Sequence, residues 1–129
     1  HVPRRRLRGP PVVVHAAPAR MTELVDTFAA LSDPTRLAVV DLLRASPCCS
    51  SDLAEVMNVS RPAMSRHLGI LRRAGLVEEE IQADDARVRL YRLKPERFTE
   101  ARAWIEEVES FWTDQLDAFR AHVARKKKP

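Results

Sequence analysis

Ser51-Asp52-Leu53-Ala54-Glu55-Val56-Met57-Asn58-Val59-Ser60-Arg61-Pro62-Ala63-Met64-Ser65-Arg66-His67-Leu68-Gly69-Ile70-Leu71-Arg72-Arg73-Ala74-Gly75 is the stretch that decides how this chain folds. Residues 51–57 read as a short capped helix. Asn58 follows where the chain must turn, and Asn tolerates the left-handed backbone that a tight turn demands. Ser60-Arg61-Pro62 then opens a second helix: the serine hydroxyl can accept a free amide, and a proline in the first turn lacks only an N–H that had no partner there. That helix runs to about Ala74, with Gly75 as its stop. Met64, Leu68 and Leu71 fall on its inner face, which leaves Arg61, Ser65, Arg66 and Arg72 able to reach outward. Two short helices joined in this way have the dimensions of a helix-turn-helix.

Upstream, Leu24, Val25, Phe28 and Leu31 share one helical face, and Ser32-Asp33-Pro34 closes that helix and caps the next. Leu37, Val40 and Leu43 give the second helix its apolar side, and Ser46-Pro47 ends it. Downstream of Gly75 the period changes. Residues Leu76–Gln82 and Arg87–Leu93 are rich in Val, Ile, Leu and Tyr and flank Ala83-Asp84-Asp85-Ala86, which reads as a β-hairpin. From Pro95 the helical period returns: Phe98, Ala101, Ile105, Val108, Trp112, Leu116, Phe119 and Val123 lie in one sector of a long helix. Trp104 and Phe111 widen that strip beyond what a single core requires, so a second surface must cover it. The expected fold is mostly α with a small β-hairpin: a winged helix-turn-helix with a long C-terminal dimerisation helix.

Charge is unevenly spread over the 129 residues. Residues 1–20 hold five arginines and no acid among prolines and a short valine run, and they read as a disordered basic extension upstream of an ordered start at Met21. Residues 125–129 form a basic tail. Without these ends, residues 21–124 hold 13 basic against 18 acidic residues, a net of −5. The overall +4 therefore says little by itself. Within that acidic domain, residues 60–77 contain four arginines and no acid, a local cationic island suited to phosphates and a major groove. The expected DNA-binding set is Ser60, Arg61, Pro62, Ser65, Arg66, His67 and Arg72, joined by Arg87 and Arg89 from the second hairpin strand. Arg61 and Arg66 are the candidates for guanine edges, and His67 either meets phosphates or packs. Asp84 and Asp85 at the hairpin tip would repel the backbone, so the wing is not expected to insert deeply.

Other classes fare worse. An enzyme would need a nucleophile with its base, a metal cluster or a phosphate-cradling glycine loop, and the three glycines, Gly9, Gly69 and Gly75, build none. RNA recognition lacks stacking aromatics on the candidate helix. A protein-docking winged helix is the rival, and it would bind with little salt dependence. No stretch has the length and apolarity of a membrane span, so a cytoplasmic protein without a membrane partner is expected. The neighbours Cys48 and Cys49 cannot staple distant segments, which suits a reducing compartment.

Leu31-Ser32-Asp33-Pro34-Thr35-Arg36-Leu37, Asp52-Leu53-Ala54-Glu55-Val56, Val59 to Leu68 and Leu71-Arg72-Arg73-Ala74-Gly75-Leu76-Val77 together resemble the successive signature segments of the ArsR/SmtB winged-helix repressors. The resemblance runs in order over about residues 22–123. It implies a homodimer closed by the first and last helices, an operator near its own promoter, and release by an inducer. Leu24, Phe28, Trp104, Val108, Phe111, Trp112 and Phe119 are the expected interface. Relatives that sense arsenic, antimony or cadmium often carry Cys-x-Cys-Asp-Leu before the first motif helix; here the segment is Cys49-Ser50-Ser51-Asp52-Leu53, with Cys48 adjacent. Two vicinal thiols could grip a trivalent arsenical, or oxidise, or simply fill space at a helix end, but they do not complete a tetrahedral zinc site. The last helix, with Asp114, Asp117 and His122, does not reproduce the family's zinc and nickel spacing. No cofactor is required.

Overall fold

The computed structural model describes residues 19–82 and 84–127. The expected extension of residues 1–20 lies outside them except for Ala19 and Arg20, which open the first helix. In chain order the elements are α1 (Ala19–Leu31), α2 (Pro34–Ala45), β1 (Cys48–Cys49), α3 (Ser50–Met57), α4 (Arg61–Arg73), β2 (Val77–Gln82), β3 (Asp85–Leu93) and α5 (Pro95–Lys127). The helix therefore continues through Arg125, Lys126 and Lys127 of the expected basic tail.

Local signals place the helix ends. The Asp33 carboxylate accepts the backbone N–H of Arg36 at 3.0 Å, with Pro34 opening α2. Ser60 Oγ accepts the backbone N–H of Ala63 at 3.2 Å to cap α4. Asn58 closes α3 at φ 55° and ψ 46°, the left-handed conformation expected of it. Gly75 ends α4 at φ 79°, its N–H donating to Arg72 O and that of Leu76 to Leu71 O, each at 3.0 Å. A Cβ there would also crowd Arg97 Cγ and Nε at 3.3 Å, so a larger residue is disfavoured twice over.

The core lies where α2, α3 and α4 meet the base of the sheet. Ala30, Val39, Val40, Leu43, Leu53, Ala54, Met64, Leu68, Leu71, Leu76 and Val77 are its buried members. Two expectations need correction. Val40 and Leu43 are buried as expected, but Leu37 is 52% exposed and Val39 takes its place in the core of α2. The hairpin is also not alone: Cys48 pairs with Tyr91 and Cys49 with Leu90, adding β1 to give a three-stranded antiparallel sheet in the order β1-β3-β2. Because β1 runs directly into α3, the helix starts at Ser50 and Cys49 occupies the N-cap position without the side-chain cap expected of this helix. Asp52 instead sits in the first turn, where its charge complements the helix dipole.

The Asp33 cap carries a pH signature. The backbone N–H of Arg36 holds its carboxyl below its usual value of 3.8; desolvation opposes this, and the nearby charges of Arg36 and His67 and the backbone N–H of Thr35 add to the lowering. A carboxylate lowered in the folded state stabilises above its unfolded pKa, and that contribution disappears as the pH falls through the lowered value. Asp33→Ala is therefore expected to melt below the wild type near neutral pH, with the gap closing as the pH drops past 3.8; melting curves of both proteins across that range check it.

Candidate nucleic-acid interface

α4 is half core and half surface. Met64, Leu68 and Leu71 are at most 1% exposed, so the rotation of the helix is fixed and Arg61, Pro62, Ser65, Arg66, Arg72 and Arg73 must face outward. Among the described residues, Arg61 and Arg66 make no hydrogen bond or ion pair, which leaves all five N–H donors of each guanidinium for a ligand. Ser60 stands at the exposed start of the helix, with its hydroxyl accepting the capping bond.

Beside α4 a cleft of about 380 Å³ runs between the start of α3 and β3. Ser51, Cys49, Arg61, Ser65, Arg87 and Arg89 line it, so the helix-turn-helix and the wing share one continuous cationic surface. The wing is itself laced by charge. On one face Arg92 pairs with Glu78 at 2.6 Å and Glu80 at 3.3 Å. On the other, Glu79 accepts Arg89 NH1 at 2.7 Å, Arg72 NH1 at 2.9 Å and the Tyr91 hydroxyl at 3.1 Å. Burial, and then the Glu79 charge, push the Tyr91 phenol above its ordinary pKa, so it stays a protonated donor. Glu79 is a residue that the sequence reading missed. Its signal lay in the strand register, which sets it opposite Tyr91 and diagonal to Arg89.

The expected DNA set is thus brought together but is not uniform. Arg61, Ser65 and Arg66 are open, whereas Arg72 and Arg89 are held by Glu79. His67 turns toward the start of α2: its Nδ1 is 3.3 Å from Arg36 NH1 and 3.8 Å from the Asp33 carboxylate. Of its two expected roles, packing is the one this geometry satisfies. Arg36 in turn donates from Nε to Ala30 O at 2.6 Å, tying the end of α1 to α2.

The two thiols part company. Cys48 packs against the core, and burial, followed by the neighbouring Cys49 and Asp52, raises its pKa. Cys49 borders the cationic cleft, with Sγ 3.3 Å from Ser51 Oγ. Adjacent side chains on an extended strand point apart, so the pair does not form a ready chelate. Among the described residues, no three His, Cys, Asp or Glu side chains gather as a metal site would require.

A second functional surface is apolar. α5 has 33 residues and would be about 50 Å long, yet Ala101 is its one buried residue. Phe111, Trp112 and Phe119 are 66%, 62% and 65% exposed, and Val108 is exposed beside them. Phe28 on α1 stacks at a tilt on Trp104, ring centres 5.6 Å apart. Leu24 corrects the expected interface: it is 3% exposed in the single chain and has little surface left to offer a partner. No helix of the described residues is long and apolar enough to cross a membrane.

Residues 33–79 match the model of the bacterial regulatory proteins of the arsR family. HTH-type transcriptional regulator Rv2034 of Mycobacterium tuberculosis is 36% identical over 90 residues, which cover 70% of this chain and 78% of that protein. Transcriptional repressor SdpR of Bacillus subtilis is 41% identical over 54 residues, spanning 42% of this chain and 60% of SdpR. The solved structure of an ArsR-like transcriptional regulator from Rhodococcus sp. RHA1 superposes with a TM-score of 0.70 at 31% identity, over 81% of this chain and 95% of that one.

Proposed function

Because this chain belongs to the arsR family of bacterial regulatory proteins, we propose that it is a DNA-binding transcriptional regulator that acts as a homodimeric repressor of an operator near its own promoter. The observation that carries this reading is the pair Arg61 and Arg66, exposed and without a partner among the described residues, on a capped helix whose opposite side is locked into the core. In a major groove, α4 presents these guanidiniums to guanine O6 and N7 or to phosphates, with Ser65 between them. The start of α3 and the wing lie along the flanking backbone. The apolar strip of α5, with α1 beside it, meets its counterpart on a second copy, since exposed apolar surface of this extent marks an interaction site. Catalysis plays no part, and the site of action is the cytoplasm.

The experiment is selection of duplexes by this protein from a random-sequence library, followed by titration of the winner at increasing salt. A basic helix on phosphates loses affinity steeply as salt rises. Binding that ignores salt, or a library that yields no preferred sequence, would instead favour a docking module.

Release by an inducer is assigned to the thiols, with trivalent arsenical or an oxidant as the signal. An arsenical that takes both thiols must first pull β1 from Leu90 and Tyr91, which dismantles the edge of the cleft. An oxidant or a one-thiol reagent needs only Cys49, where added bulk stands beside Arg61 and Ser65. A maleimide is therefore expected to abolish DNA binding by the wild type and by Cys48→Ser, and to spare Cys49→Ser. Gel shifts of the three proteins before and after treatment decide it, and equal sensitivity of Cys49→Ser would exclude this route.

A further inference from the structure

An acid set into a surface meant for DNA needs a reason, because it repels the phosphates that the surrounding arginines attract. Glu79 is such an acid. Its side chain is 13% exposed, beneath Arg72 and Arg89, which are 55% and 61% exposed. Arg72 belongs to the recognition helix α4 and Arg89 to strand β3 of the wing, so the carboxylate bridges the two parts of the molecule that would lie on DNA. The division of labour is clean: Oε1 takes Arg89 NH1 at 2.7 Å, and Oε2 takes Arg72 NH1 at 2.9 Å together with the Tyr91 hydroxyl at 3.1 Å. Each guanidinium is anchored by one nitrogen and keeps its other N–H groups for the duplex. The neighbouring acids Glu78 and Glu80 are occupied by Arg92, which leaves Glu79 as the bridging group.

Resting on the DNA-binding reading above, we propose that Glu79 is a specificity-determining positioning residue: it fixes Arg72 and Arg89 as one preorganised pair across helix and wing, and it weakens non-specific attraction to DNA by one charge. Preorganised side chains lose less freedom on binding a matching site, so the benefit is specific, whereas the repulsion applies to every sequence. Glu79 thus gives up affinity for DNA in general and gains discrimination between sequences.

The test is Glu79→Gln, compared with the wild type on two probes at one salt concentration: the duplex selected by the wild type from a random library, and a mixed-sequence duplex. Glutamine keeps the shape and can still pair with Tyr91 but carries no charge. The expected result is crossed: mixed-sequence DNA is bound about threefold more tightly, while the ratio of selected to mixed affinity falls by roughly tenfold. A merely structural role would instead loosen both. Arg72→Lys/Arg89→Lys is the second variant, which keeps both charges and loses the planar fork; it should hold mixed-sequence affinity and lose the ratio. An unchanged ratio in both variants, or weaker mixed-sequence binding by a folded Glu79→Gln, overturns the proposal. If the wild type itself selects no duplex, the DNA-binding reading fails, a result separate from a wild type that selects normally and a Glu79→Gln variant that discriminates equally well.

Discussion

Replacing Arg61 and Arg66 together by alanine is expected to weaken binding to the selected duplex by roughly a hundredfold to a thousandfold, since a good bidentate base contact is worth about 1–3 kcal/mol. The fold should not change. Both side chains are exposed and make no hydrogen bond or ion pair among the described residues, so nothing in the protein depends on them. Salt titration of the variants tells what each arginine touches. Loss of a phosphate contact lowers the salt slope by about one and affects all sequences alike, whereas loss of a base contact leaves the slope and relaxes the preference at one position. Arg66→Ala and Arg61→Ala measured singly on the selected duplex and on its point mismatches separate the two. A double variant that binds like the wild type would mean that α4 does not meet DNA.

Trp112→Glu/Phe119→Glu is expected to turn the dimer into a monomer and, with it, to reduce operator affinity by at least about a hundredfold, because one half-site must then hold the protein alone. Both rings stand on the part of α5 that projects beyond the core, 62% and 65% exposed in the single chain, so the substitutions cost the isolated subunit little. At a buried interface they cost a great deal: each aromatic ring forgoes about 1.5–3 kcal/mol of burial, and each carboxylate brings a charge into an apolar contact. Sedimentation equilibrium reads the association state, and far-UV circular dichroism checks that the helices persist. A variant that sediments as the wild type does would place the interface elsewhere.

The helix-turn-helix was legible because its punctuation is local. Asp33-Pro34, Asn58, Ser60 and Gly75 each act within a few residues of themselves, and each is found in the conformation that its chemistry favours. The inner face of α4 was legible for the same reason, since helical spacing fixes it. Features that depend on partners distant in sequence are not legible in this way. β1 is two residues long, and nothing in Cys48-Cys49 announces a strand whose partners, Leu90 and Tyr91, lie some forty residues away. Leu37 and Val39 are both apolar on α2, and which one is buried depends on how that helix rolls against α3 and α4. Glu79 reads as one of three consecutive glutamates; only the pairing with β3 sends it to the α4 side and its neighbours to Arg92. The arginines of α4 stand out as a group in the sequence, but the tethering of Arg72 and Arg89 follows from that register. Leu24 shows the converse limit, because an apolar face on α1 does not say which of its residues the chain itself already covers.

If α4 reads the major groove from a dimer, methylation interference on the selected duplex shows it. Methyl groups on guanine N7 lie in the major groove and those on adenine N3 in the minor groove. The predicted result is interference at guanine N7 in two patches related by symmetry and separated by one helical turn, about 10 base pairs, or a multiple of it. Interference confined to adenine N3, or a single unsymmetrical patch, would mean that α4 does not read the major groove from a dimer.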